Sequence, residues 1–272
     1  MRPAWSEQFV DGVLAAVPAV PLPDPLTAQW AWDGGDGAGV RVAVIDSGIE
    51  AVHPLVGGVT AAVAFELDAG GAVHLDEGDH ADLVGHGTAC AGIIRSVAPA
   101  CQLYSVRVLG AGLKGKGVAF LAGLRWAVEQ GIDVVNLSLS TSNARYVEEL
   151  HELVDAAAFR GTTLVSAVNN VRAPSYPSLY AGVLSVAAHD DRDPFGFDWN
   201  PEPPVHVGAP GIDVEIAWVG GRTITATGNS FAAAHVSGLV ARLLSKHPGL
   251  AVHHVKTILQ ALARNTVSTA LK

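Results

Sequence analysis

The sequence predicts an α/β fold, with a mainly parallel central sheet covered by helices on both faces. Three observations carry this. Several short segments are apolar without alternation, as strands buried on both faces must be. They alternate along the chain with stretches of helical periodicity, the pattern of βαβ units. A content of 49% hydrophobic against 16% charged residues in a chain of 272 provides for a large core and excludes a disordered chain.

The elements follow in order. Residues 1–25 read as an extension: an amphipathic helix from Trp5 to Val17, then the link Pro18-Ala19-Val20-Pro21-Leu22-Pro23. Residues 26–272 read as one domain. Val40 to Ile45 is a buried strand ending at Asp46. His86 to Arg95 is a helix of small residues, followed by a strand from Gln102 to Val108. Gly117 to Gln130 is helical, Asp133 to Leu139 a strand, Val147 to Phe159 a helix with charged outer positions, and Thr162 to Val168 a strand. The run Gly228-Asn229-Ser230-Phe231-Ala232-Ala233-Ala234-His235 starts a buried helix, and His253-His254 reads as a surface pair on the last one. Parallel sheets gather functional groups at the carboxyl ends of their strands. Asp46, Ser138 and Asn169-Asn170 fall there.

Charge and sulfur narrow the function. A net charge of −9 argues against nucleic acid or an anionic membrane as the main partner. No stretch approaches the ~20 apolar residues of a membrane span. The N-terminus lacks a basic region followed by an apolar core, so the cytoplasm is the expected location. Two cysteines, Cys90 and Cys101, do not make a disulfide framework and are expected as buried free thiols. Cys90, four residues after His86 on one helix, should lie beneath it.

A serine at a helix start is usually an N-cap. Ser230, however, has Asp46 and His86 upstream, and the order Asp, His, Ser is one known arrangement of nucleophilic serine catalysis. A hydroxyl needs a base to become a nucleophile, which His86 can supply, and Asp46 can orient the imidazole. The sequences Val-Ile-Asp46-Ser-Gly, Gly-His86-Gly-Thr, Val97-Ala98-Pro99, Asn136-Leu-Ser138-Leu, Asn170, Tyr176-Pro177, Ala209-Pro210-Gly211 and Gly228-Asn-Ser230 extend the pattern. Together they resemble the subtilisin-like serine proteases, the subtilase family, over about residues 26 to 264, and specifically an intracellular or processing type.

The resemblance implies a three-layer fold and a serine endopeptidase with Asp46, His86 and Ser230 as triad. Asn170 and the Ser230 backbone N–H would hold the oxyanion, with Asn169 competing for the first role. The expected partner is an extended peptide, paired by Ser138, Leu139 and Ser140 on one side and by Gly112, Leu113, Lys114 and Gly115 on the other, with Asn169 at the pocket. The plain alternative for Ser138 and Leu139 is sheet structure. No metal or organic cofactor is required. His74, Asp76, Glu77, Asp79, His80, Asp82 and His86 could ligate a metal, but a solvated acidic loop is expected. His235 resembles the family's buried structural histidine.

Five departures from the family bear on selectivity. The calcium loop after the His86 helix is missing, so no calcium is expected beside residues 94–97. Ser140, Thr141 and Asn169 stand at glycine positions of the specificity pocket, which should narrow it. The segment from Val171 to Ser175 is short and brings Arg172 near, expected as solvated, while Lys114 and Lys116 hint at acidic upstream residues. Phe231 replaces a methionine, which removes an oxidisable thioether from beside Ser230, and Ala234 replaces a proline, which relaxes a crowded turn and raises amine acceptors and transpeptidation or macrocyclisation as an alternative. The extension is too short for a folding prodomain and reads as a structural arm, the other reading being a cover for the cleft. The expectation is a selective processing protease, for example one removing a leader from a precursor peptide. The competing class is a catalytically silent peptide-binding module.

Overall fold

The computed structural model describes residues 3–10, 12–17, 19, 20 and 22–266. Asp11 of the expected N-terminal helix, Pro18 and Pro21 of the link, and residues 267–272 of the expected domain lie outside the described residues.

Strand β1 (Arg41–Asp46) is buried from Val42 to Asp46, so both of its faces need cover. It lies inside a nine-stranded sheet with β2 (Ala61–Leu67), β3 (Val73–Glu77), β4 (Gln102–Arg107), β5 (Val134–Leu137), β6 (Thr163–Ala167), β7 (Leu184–His189), β8 (Asp198–Trp199) and β9 (Val207–Pro210). The spatial order is β3-β2-β4-β1-β5-β6-β7-β9-β8. From β2 to β9 every neighbouring pair is parallel, and β3 and β8 close the edges antiparallel. Strands β10 (Val214–Trp218) and β11 (Arg222–Ala226) form a separate antiparallel hairpin.

Helices complete three layers. One core lies beneath α1 (Ala28–Trp32), α2 (His86–Val97), α5 (Asn229–Lys246) and α6 (Val252–Leu262). The opposite core is covered by α3 (Gly117–Glu129) and α4 (Val147–Phe159). Helices α2 and α5 pack closely because their facing residues are small. A Cβ added to Gly238 would stand 2.6 Å from the Cβ of Val97. Their N-termini therefore come together at the carboxyl end of the sheet.

Two expectations need correction. Among the described residues of 5–17 there is no α-helix, only a 3-10 turn at Glu7–Phe9, and Gly12 has φ +83°. Trp5, Phe9, Val13, Leu14 and Val17 are exposed, so the apolar stripe has no surface to bury against, and a short helix does not form without one. The acidic stretch around residues 73–77 is not a loop but β3, paired with β2 from Val63↔Glu77 to Leu67↔Val73. Beyond the extension, Leu22 and Leu26 pack on the α5 side of the core. The Trp30 ring stacks on His247 at 3.9 Å, and the Trp30 carbonyl is 2.8 Å from His247 Nε2. This anchor sits at the C-terminal end of α5, about 27 Å from its start for 18 residues. Among the described residues no helix is long and apolar enough to cross a membrane.

At the other end of α2, the Arg95 guanidinium donates to four carbonyls: Val56 at 2.9 Å, Gly58 at 3.3 Å, Pro99 at 2.8 Å and Cys101 at 2.7 Å. It ties two loops to the helix and complements the helix dipole. Arg95→Met removes all four donors and should lower stability by about 2–3 kcal/mol, read as a shifted urea midpoint with an unchanged slope.

Candidate active site

Asp46 is the last residue of β1 and is wholly buried. Its Oδ1 accepts the Ser47 N–H at 2.8 Å. Both of its carboxylate oxygens lie 2.9 Å from His86 Nδ1, so that nitrogen carries the proton and Nε2 is left as the basic atom. Burial alone would lower the His86 pKa, but the charge and hydrogen bond of Asp46, helped by the charge of Asp82, hold it above the ordinary value of 6.5.

The imidazole is positioned by the first turn of α2. Gly87 needs to be glycine, because a Cβ there would lie 2.0 Å from the Gly48 carbonyl oxygen and 3.2 Å from the Asp46 Cβ. Asp82 fastens the same turn. Its Oδ1 accepts Ser47 Oγ–H at 2.8 Å and the N–H groups of Val84 and Gly85 at 2.9 and 2.8 Å. Its Oδ2 accepts Thr88 N–H at 2.9 Å and Thr88 Oγ1–H at 2.6 Å. Asp82 is thus a buried cap that joins α2 to the turn after β1, not part of a solvated loop. A carboxylate shortly before a helix that starts at Gly-His-Gly was the available signal.

Ser230, 7% exposed, is the second residue of α5, where helix N–H groups are free. Its hydroxyl donates to the Ser138 carbonyl at 3.3 Å. Among the described residues no hydrogen bond joins it to His86; both line one cleft of about 830 Å³. Asn170 lines the cleft as well. Its Oδ1 accepts the Asn229 N–H at 3.1 Å, which directs the Asn170 amide nitrogen away from the helix as an available donor. Asn169 does not reach the cleft, for its Oδ1 accepts the Val171 N–H at 3.1 Å.

Two walls flank these groups. Ser138, Leu139, Ser140 and Thr141 form one. Thr141 is fixed by exchanging backbone hydrogen bonds with Tyr176 at 2.9 and 2.8 Å. Leu113, Lys114, Gly115 and Lys116 form the other, a loop closed by the Gly110 N–H to the Lys114 carbonyl at 2.9 Å. Gly112 and Arg172 lie outside the cleft wall.

The possible metal ligands between His74 and His86 are not brought together. His74 pairs with Asp68 at 2.9 Å, His80 lies 2.9 Å from Ser105 Oγ, and Asp82 is capped as above. Among the described residues, the donor group close enough for a cation is Asp46, His86 and Cys90. Asp46 and His86 already bond each other. Burial and the nearby Asp46 charge push the Cys90 thiol well up, so it stays protonated, 3.3 Å from Ser138 Oγ. Both cysteines are free and buried. His235 is buried with Nδ1 3.0 Å from the Phe231 carbonyl, inside α5 rather than in the cleft.

The model of the subtilase family matches residues 37–271. The chain is 32% identical over 249 residues to Subtilisin Savinase of Lederbergia lenta, covering 88% of each. It is 31% identical over 231 residues to the thermostable alkaline protease of Halalkalibacterium halodurans, covering 81% of this chain and 61% of the length of that protein. Among solved structures, a cold adapted subtilisin-like serine proteinase matches with a TM-score of 0.69 at 28% identity, covering 86% of each chain.

In an NMR titration His86 should change protonation above 6.5. Asp46→Asn should move the midpoint down, because burial then acts with less opposing charge. An unchanged midpoint would contradict this origin of its basicity.

Proposed function

The chain belongs to the subtilase family and is a subtilisin-like serine endopeptidase, and on that premise we propose that Asp46, His86, Ser230 and Asn170 carry its chemistry. The observation that supports this most is the contact of both Asp46 oxygens with His86 Nδ1 beneath a cleft shared with Ser230 and Asn170. An extended peptide lies between the Ser138–Ser140 edge and the Leu113–Gly115 loop, paired through its backbone. A substrate N–H competes for the Ser138 carbonyl and releases the Ser230 hydroxyl towards His86 Nε2. His86 takes the proton as Ser230 Oγ bonds to the scissile carbonyl carbon. The oxyanion is held by the Ser230 N–H and the Asn170 amide. His86 then protonates the leaving amine, and water, activated by the same nitrogen, releases the acyl group.

The walls support a selective enzyme. Ser140 and Thr141 line the cleft at positions where the resemblance to the family expects glycine, and the Thr141–Tyr176 pair keeps that wall from receding. Small residues before the cut suit such a pocket, and Lys114 and Lys116 suit acidic residues further upstream. This favours processing of a defined precursor, such as leader removal, over general digestion. Ala234 is fully buried within α5 and does not line the cleft, so it makes no contact there that would favour an amine acceptor over water. A silent binding module would have no use for the paired Asp46 and His86.

A fluorophosphonate probe should label the wild type and not Ser230→Ala. Asn170→Ala should lower kcat on the order of 10²–10³, the effect of removing such a donor from a subtilisin. A peptide library should give cleavage after small residues with acidic residues upstream, the acidic preference weakening in Lys114→Glu. Efficient cleavage after Phe or Leu would refute the narrow pocket.

A further inference from the structure

Asn229, the first residue of α5, uses its whole carboxamide inside the protein. Its Oδ1 accepts the Ala188 N–H at 2.9 Å, at the end of β7. Its Nδ2 donates to the Val168 carbonyl at 3.1 Å and the Asn169 carbonyl at 3.2 Å, in the loop after β6. Its backbone N–H is the group that holds Asn170 Oδ1. One residue next to the nucleophile therefore grips the two residues that precede Asn170 and the Asn170 side chain itself. Only a carboxamide of this length offers one acceptor and two donors there.

We propose that Asn229 is a positioning residue for oxyanion stabilisation, clamping the Val168–Asn170 loop against the start of α5. The Asn170 amide and the Ser230 N–H then converge on one point. The inference rests on the reading of Asn170 as an oxyanion donor. Preorganised donors act only when held at hydrogen-bonding distance from where the charge develops, and a shift of 1 Å removes much of their effect. The clamp touches neither the Ser138–Thr141 wall nor the Leu113–Lys116 wall. Its loss should slow the chemical step and leave ground-state binding alone.

The test uses a fluorophosphonate probe on the full chain, with inactivation resolved into KI and kinact. The probe's phosphoryl oxygen becomes the oxyanion as Ser230 Oγ bonds to phosphorus and fluoride leaves. Asn229→Ala should lower kinact by roughly 10–100-fold with KI within about twofold. Asn229→Asp keeps the acceptor for Ala188 but loses both donors, and it should show most of the same loss if the alanine variant fails to fold. In an Asn170→Ala background, removing Asn229 should cost less than about threefold more, because the two act through one donor. Unchanged kinact in the Asn229 variants, or losses that multiply fully with Asn170→Ala, would overturn the proposal. If Asn170→Ala lowers kinact and the Asn229 variants do not, the clamp alone fails. If Asn170→Ala has no effect, the oxyanion reading fails and the clamp with it.

Discussion

The arrangement depends on one buried carboxylate that does no chemistry of its own. Asp82 accepts five hydrogen bonds, from Ser47, Val84, Gly85 and twice from Thr88. A buried charge costs several kcal/mol unless it is well satisfied, and charge-assisted hydrogen bonds of this length are the strong kind. Satisfying Asp82 requires the turn after β1 and the first turn of α2 to occupy one place. Asp46 immediately precedes the first of these and His86 opens the second. Their contact is a consequence of that joint, as is the close approach that only glycine at position 87 permits.

The sheet and helices supply the rest of the alignment. Parallel strands present their carboxyl ends on one side, so β1, β5 and β6 deliver Asp46, Ser138 and the Asn169–Asn170 loop to a common edge. The small faces of α2 and α5 bring two helix N-termini to that edge, one with His86 and the other with Ser230. Free N–H groups there favour negative charge near Ser230. Among the described residues, the cleft walls are built differently from each other. One is pinned by a backbone pair to Tyr176, and the other is a glycine-rich loop bonded to itself, which leaves the second freer to adjust to a ligand.

What could be read in the sequence divides along physical lines. Asp46, His86 and Ser230 were legible because each sits in a short run whose order carries chemical meaning. The inner strands were legible because a short, continuous apolar run between turns fits a sheet covered on both faces. Asp82 offered only its place before the Gly-His-Gly helix start, since a carboxylate in an acidic stretch looks the same whether hydroxyls and amides reach it or water does. The hairpin of β2 and β3 was hidden by the charges on β3, whose side chains from His74 to Glu77 are exposed. The failure at residues 5–17 is the converse. Apolar spacing there is compatible with a helix, but spacing does not tell whether anything will cover the face. Asn229 stands out in the sequence as a neighbour of the nucleophile, whereas its four hydrogen bonds depend on three segments meeting and could not be seen locally.

Sulfur is placed so that oxidation reports on motion. The chain's single methionine is Met1, and Phe231 follows Ser230, so no thioether adjoins Ser230 in the sequence. The nearby sulfur is Cys90, buried and protonated, and Cys101 is buried with its thiol pushed up to about 11. Oxidants attack exposed thiolates, and neither cysteine offers one in the closed fold. Peroxide damage at Cys90 therefore has to await an opening of the α2–β5 region. The speed of Cys90 oxidation becomes a clock for that opening, and the protein carries its own reporter of local unfolding beneath its cleft.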